Sequence, residues 1–585
     1  MKKTFSYSLA IRGGFGKVVA LLLLILLAGC GGSTVSTPPK PTIPSVSFTT
    51  IPVNIPSQAL NSPMVGPLPD DTLLHVRLMF HVNQSQKDGL NKVSNKGGQD
   101  LQKFANEIGI SDATYQKIKA VLGVQGASLT LSKLHTELKV DAKARIIAAL
   151  FQTHFVLHKY QGRTFYVPAT PPSLPSFIAN ELLSVTGLDS YSVPFQKGVT
   201  TRALHAQRSQ ADCRAPSNQL FPADVAHSYG FDQFYSHGYH GENMTINLVE
   251  IDGVTASDVL NYQQCVGYQG HITVKDVDGA PTRAEGESVL DIEMIEGLAR
   301  NANIVDYETA NPAQGIPDIL QQILDDNTNN TGSGSVVSIS LGAAENLQTL
   351  NEIKATDQLL YLLTQKEHMT VFVASGDCAA FTDGVFNSLS VSFPASDPNV
   401  IGVGGTVLQV NSQGNRAGES VWSDSSDTSK CNNAWGSGGG SSNFFQQPNW
   451  QSGRGVTNDA SRGFRQVPDV SAVATNLAFY FGGRWVTFAD GEGGGGGTSA
   501  ATPIWATGMA LVNQALIHQY RLFFNGPLVF YYVAGHAGKL SPYYDVMQGN
   551  NLAFNSTPGW DFASGLGTPN LVDFYSILAS AASQQ

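Results

Sequence analysis

Thr245-Ile246-Asn247-Leu248-Val249-Glu250-Ile251 is a short apolar run bounded by polar residues and glycine, the pattern of a strand buried on both faces. Similar runs recur at 272–277, 304–307, 336–341 and 370–375. Helical patterns near 257–265, 287–300, 316–325 and 350–365 separate them. This alternation predicts an α/β fold, a parallel sheet with helices on both faces. Functional groups in such a sheet gather at the carboxyl ends of the strands.

The second helical stretch, Gly286-Glu287-Ser288-Val289-Leu290-Asp291-Ile292-Glu293, puts Glu287 and Asp291 four residues apart on one face. Two ionised acids at that spacing cost a helix about 0.2–0.5 kcal/mol. Among Val289, Leu290, Ile292, Met294 and Ile295 they would instead be buried and share a proton. Glu285, Glu293 and Glu296 keep open the reading of a solvated acidic face. Asp377 ends another run in Ser375-Gly376-Asp377, either a turn or a strand-end site. Further on, five glycines (493–497) lead into Thr498-Ser499-Ala500-Ala501-Thr502-Pro503 and an apolar segment. Ser499 then falls in the first turn of a helix, beside unpaired backbone N–H groups. A serine nucleophile needs a base. His227, His237, His240, His271, His368, His518 and His536 all lack a His-Gly-Thr setting and read as surface or structural residues.

In this order the segments resemble the sedolisin family of serine-carboxyl peptidases, from about Leu74 to the C-terminus. The resemblance implies a subtilisin-like catalytic domain in which Glu287 takes the proton of Ser499 and Asp291 orients Glu287. Asp377, kept protonated, would donate to the oxyanion. Ser340 and Gly342, and Ser437, Gly438 and Gly439, are similar to the family's substrate-cleft segments. Leu341 departs from the Trp found there in part of the family, which puts in question a hydrogen bond to an outer acid, Glu250 by position. Tyr544-Asp545-Val546 and Thr557-Pro558-Gly559-Trp560-Asp561 resemble the family's calcium loop. One structural Ca²⁺ would be held by the Asp545 and Asp561 carboxylates and the Val546, Thr557 and Gly559 carbonyls, oxygen donors that suit this hard ion. Thr557 stands where part of the family has Gly. An unperturbed Glu titrates near 4.3 against about 6.5 for His, so a Glu base implies an optimum on the order of pH 3–5.

The remainder of the 585 residues is organised around this half. Lys2, Lys3, Arg12 and Lys17 precede an apolar run ending Leu27-Ala28-Gly29-Cys30, too short for a membrane span. It resembles a bacterial lipobox, so Cys30 is the expected lipidation site and 1–30 a signal peptide. A Pro/Ser/Thr-rich tether (31–65) follows. Residues 66–195 read as a smaller α+β domain: a strand at 74–82, helices containing Leu101 to Ile108 and Tyr115 to Leu122, a helix capped by Asp141 and running to Phe151, a hairpin turning at Gly162, and a last helix with Phe177, Ile178, Leu182 and Leu183. By resemblance it is a ferredoxin-like propeptide that inhibits the enzyme. Residues 196–212 form an exposed processing linker, and 213–585 the peptidase domain. Cys213, Cys265, Cys378 and Cys431 permit two disulfides of undetermined pairing. Net charge is −11 with no long basic run, which argues against nucleic acid as a partner.

The expectation is therefore an exported, lipid-anchored or released monomer that acts on protein or peptide substrates as an acid endopeptidase and is made as a self-processing zymogen. The rival is a catalytically inactive, surface-anchored binding module on the same scaffold. An α/β-hydrolase esterase is disfavoured because no Gly-x-Ser-x-Gly elbow is present.

Overall fold

The computed structural model describes residues 47–82, 105–160, 162–192, 202–203, 213, 219–310, 315–328, 334–365, 367–382, 388–424, 431, 435–487 and 496–584. The leader with Cys30, the first part of the tether, the start of the helix at Leu101, nearly all of the processing linker and Gly493 to Gly495 lie outside these residues.

The N-terminal lobe holds four antiparallel strands: β1 (Leu73–Phe80), β2 (Ala127–Leu131), β3 (Glu137–Lys143) and β4 (Leu182–Thr186), in spatial order β2-β3-β1-β4. Helix α1 (Asp112–Leu122) lies between β1 and β2, and α2 (Ala144–Leu150) follows β3. This is the ferredoxin-like order. Leu74, Val76, Leu78 and Phe80 meet Ile118, Leu122 and Ile147 in the lobe's core. Two expectations are corrected here. Asp141 caps no helix: it lies inside β3, α2 starts after Lys143, and its carboxylate binds His75 and Arg77. Leu182 and Leu183 are strand residues, because the helix at Ser176–Ala179 stops after four residues and Leu-Leu-Ser-Val-Thr pairs with β1. The β-branched Val185 and Thr186 suit that ladder.

The larger lobe contains β5 (Thr245–Glu250), α3 (Ala256–Val266), β6 (Ile272–Asp276), α4 (Glu287–Leu298), β7 (Asn303–Glu308), α5 (Gly315–Asn327), β8 (Val336–Ile339), α6 (Leu350–Gln365), β9 (Thr370–Ala374), β10 (Ile401–Val410), β11 (Arg416–Val421), β12 (Val470–Val473) and α7 (Thr498–Tyr520). Its eight-stranded sheet runs β6-β7-β5-β8-β9-β10-β11, with β12 also on β10. Every pairing is parallel except β10 with β11. Period-two alternation sends Ile246 and Leu248 to one face, against α4 and α7. Val249, Val337, Ile339, Val371 and Val373 go to the other, against α5 and α6. The sheet is covered on both sides, as its apolar runs require.

The N-terminal lobe packs on the outer side of α5 and α6. Met79 joins the core beneath those helices, and Gln358 of α6 donates to the Phe80 carbonyl at 3.0 Å. Arg77 is only 2% exposed and binds Asp318 of α5 at 2.7 Å and Asp278 at 2.5 Å. Lys139 also pairs with Asp278. The face of β1 that alternation assigns to solvent is therefore an interface. Two disulfides form, Cys213–Cys265 and Cys378–Cys431.

Candidate active site

Helix α4 is aimed by its N-terminus. Gly286 takes φ 106°, a left-handed conformation that costs glycine little, so that the chain turns sharply into the helix. Asp252, just past β5, accepts from Glu285 N at 2.6 Å, Gly286 N at 2.8 Å and Glu287 N at 2.9 Å. Its own carbonyl accepts from Ser288 Oγ at 2.8 Å. Asp252 thus satisfies helix N–H groups that burial would leave without water. Sequence reading missed it, although an Asp-Gly directly after a predicted parallel strand is where such a residue belongs. Every residue of α4 is buried, so Glu287 and Asp291 are in the protein interior and the solvated-face reading does not hold.

Helix α7 brings the serine. Pro503 lacks the N–H that would otherwise bond the Ser499 carbonyl, and Ser340 Oγ lies 3.2 Å from that carbonyl instead. The same hydroxyl donates to Asp291 Oδ2 at 2.5 Å, and Ser499 Oγ donates to the Ser340 carbonyl at 3.4 Å. Ser340, just past β8, therefore ties the serine helix to the acid helix. Asp377, past the end of β9, accepts at Oδ1 from Thr498 N and Thr498 Oγ1, each at 2.8 Å.

Glu287, Ser340, Gly342, Gly376, Asp377, Thr498 and Ser499 line one cleft, and among the described residues no histidine lines it. Asp291 lies beneath, fully buried. Ser437, Gly438 and Gly439 are buried behind the wall. Ser437 Oγ bonds Gly405 N and the Ala563 carbonyl, and Gly438 bonds Gly376 O and Ser375 Oγ. They brace the strand end that carries Asp377.

The electrostatics follow from burial. Desolvation, then the neighbouring Asp291, pushes Glu287 well above the ordinary carboxylate range, and a side-chain hydrogen bond with Ser499 pulls it back. Desolvation raises Asp291 to about 8, against hydrogen bonds from Ser340 and Glu250. Leu341 offers no side-chain donor to Glu250, which acts on Asp291 from the interior. Glu250 is itself raised by burial and by Asp291, Asp306 and Glu287. Neither carboxyl oxygen of Glu250 or Asp306 has an N–H or hydroxyl partner among the described residues. The acids therefore hold protons among themselves.

At the other end of the chain, Asp545 Oδ2 accepts from Gly559 N at 2.9 Å and Asp561 Oδ2 from Thr557 N at 2.7 Å. Both carboxylates converge on the turn 557–559, and burial raises both. No group of three or more His, Cys, Asp or Glu side chains forms a metal cluster among the described residues. Two acids and a turn rich in carbonyls nonetheless fit a hard cation.

The Subtilase family profile matches residues 270–520. Kumamolisin of Bacillus sp. (strain MN-32) is 30% identical over 433 residues, which cover 70% of this chain and 73% of that protein. Sedolisin of Pseudomonas sp. (strain 101) is 26% identical over 508 residues, 82% of this chain and 81% of that protein. Among solved structures, Pseudomonas sedolisin, a serine-carboxyl proteinase complexed with two molecules of pseudo-iodotyrostatin, superposes with a TM-score of 0.52 at 25% identity, over 63% of this chain and 100% of that one.

Proposed function

The chain belongs to the sedolisin family of serine-carboxyl peptidases, and on that premise we propose that it cuts protein and peptide substrates internally, at acid pH, through an acyl-enzyme on Ser499. The observation that supports this most is one cleft that joins Ser499, Glu287 and Asp377 over buried Asp291, with no histidine lining it among the described residues.

In the proposed reaction Ser499 Oγ attacks the scissile carbonyl carbon as its proton passes to Glu287. Asp291 and Ser340 hold Glu287 and the serine helix in register. Asp377, protonated, donates to the oxyanion as a buried carboxylic acid can. Collapse breaks the C–N bond, and Glu287 returns the proton to the leaving amine. Water then attacks the ester with Glu287 as base, regenerating Ser499. A carboxylate base titrates below an imidazole, and that difference supports a working range on the acid side of neutrality.

The N-terminal lobe serves in this reading as the inhibitory propeptide, held by the Arg77 ion pairs until the linker is cut. Cys30 carries a lipid that tethers the exported precursor to a bacterial membrane. Ca²⁺, held by Asp545, Asp561 and the carbonyls of Val546, Thr557 and Gly559, would stiffen the C-terminal loop.

Incubation of the full chain at about pH 4, followed by mass spectrometry of its own fragments and of a cleaved protein substrate, tests these points. The expected result is loss of roughly the first 200 residues (the combined length of leader, tether, lobe and linker) and internal substrate fragments. Tripeptides released in sequence from the substrate's amino end would replace the endopeptidase assignment with an exopeptidase one. Ser499→Ala that still shortens itself would remove the nucleophile.

A further inference from the structure

A carboxylic acid that serves an oxyanion must present its proton on the oxygen that faces the reacting carbonyl. Asp377 could hold it on either. The contacts around Thr498 remove the ambiguity. Gly376 N donates to Thr498 Oγ1 at 3.1 Å. A backbone N–H cannot accept, so the hydroxyl is the acceptor in that contact and its own proton is left for another partner. That partner is Asp377 Oδ1, at 2.8 Å. Thr498 N donates to the same oxygen, also at 2.8 Å. An oxygen that accepts two donors behaves as the carbonyl of the acid, and the acid proton belongs on Oδ2.

Oδ2 is on the productive side. A Cβ built on Gly497 would lie 3.6 Å from Asp377 Oδ2 and 3.7 Å from Ser499 Cβ, so the acid oxygen and the serine flank the same small space. Gly497 has φ −161°, an extended backbone open to any residue, and its bare Cα keeps that space clear.

From this geometry, and resting on the reading of Asp377 as the oxyanion acid, we propose that Thr498 is a positioning residue: its hydroxyl, oriented by Gly376 N, fixes Asp377 with Oδ1 as acceptor and Oδ2 as the proton-bearing oxygen aimed at the substrate. The role carries a counter-effect, since a donor on Oδ1 also favours the ionised acid. Thr498 trades some of the acid's hold on its proton for direction.

The test compares Thr498→Val, Thr498→Ser and Asp377→Ala with the parent. Each is purified as the full chain, incubated in acid and assayed on one internally quenched peptide over about pH 3–7, the span in which a carboxyl pair titrates. For Thr498→Val, kcat is expected to fall about 10- to 100-fold, as for a misdirected oxyanion donor. KM should stay within about twofold, and the alkaline limb should move to higher pH because the acid loses a stabilising donor. Thr498→Ser, which restores the hydroxyl, should recover kcat and the limb. A general loosening of the site would lower the rate without moving the limb upward. Parent-like kcat and limb in Thr498→Val, with Asp377→Ala inactive, would overturn the role of Thr498 alone. So would failure of Ser to rescue. An active Asp377→Ala would instead overturn the reading of Asp377 on which this role rests. If Thr498→Val does not fold, judged by its melting curve, Thr498→Ala takes its place under the same criteria.

Discussion

Glu287 owes its position to a residue on another element, and that dependence can be measured. Asp252 accepts three consecutive backbone N–H groups at the start of α4, so removing its carboxylate leaves buried donors unpaired. Asp252→Ala should destabilise the protein by about 1–3 kcal/mol and lower kcat by shifting Glu287, while KM changes little. Chemical denaturation and steady-state kinetics check both parts. The contrast between Glu287 and Asp252 also shows what a sequence discloses at this scale. Glu287, Asp291 and Ser499 were legible because the first two share one helix at a four-residue spacing and the third follows a glycine run. Asp252 lies more than 30 residues upstream of its partners and bonds their backbone, which carries no residue-type signal. Ser340 was found as a cleft residue, whereas its bridge from Asp291 to the Ser499 carbonyl depends on where two helices meet.

At the scale of elements, the parallel strands β5, β7, β8 and β9 were readable as apolar runs because the sheet buries them, and the half-exposed edge strand β6 through its β-branched Ile272, Thr273 and Val274. Strands β10, β11 and β12 were not. They carry glycines and polar residues such as Gly404, Gly405 and Glu419, and their pairing is set by tertiary contacts. The helix–strand error at Leu182 and Leu183 has a similar cause. Two leucines fit either period, and only pairing with β1 decides between them. The C-terminal loop gives the element-scale prediction. Its Asp545 and Asp561 both approach the turn 557–559, and burial makes their uncompensated ionisation unfavourable. Chelation should lower the melting temperature of the parent by about 5 °C or more, and added Ca²⁺ should restore it. Asp561→Asn should melt lower and lose the response. A melting curve indifferent to chelator and to Ca²⁺ would leave the loop closed by its hydrogen bonds alone.

For the whole molecule, the buried acids tie stability to pH. Asp291, Glu137 and Glu296 are each raised to about 8, Asp189 to about 7 and Asp325 to about 6, all chiefly by desolvation. An acid whose folded pKa lies above its unfolded value contributes stability that is complete below the unfolded value. That contribution is lost as pH rises through the folded one. The window is thus from about pH 4 to about pH 8, and the melting temperature should fall across it by about 5 °C or more. Glu137, Asp189 and Asp325 belong to the N-terminal lobe or to its docking face, so docking should weaken in the same direction. The raised acids by themselves therefore give acid no means of loosening the lobe. The passage from the antiparallel sheet to the parallel one shows in the sequence as a change of pattern near Cys213. The contact between the lobes does not, because Arg77 on an alternating strand looks solvent-facing until Asp278 and Asp318 are brought to it.

The pH dependence of kcat/KM on a peptide substrate, for the parent and for Glu287→Gln, bears most directly on the claim that a carboxylate serves Ser499 as base. A carboxylate base implies a maximum below about pH 6, negligible activity at about pH 8, and a loss of about a thousandfold or more in Glu287→Gln. Activity that rises through about pH 6.5 to an alkaline plateau, and that survives in Glu287→Gln, would assign the base to a histidine and contradict the account.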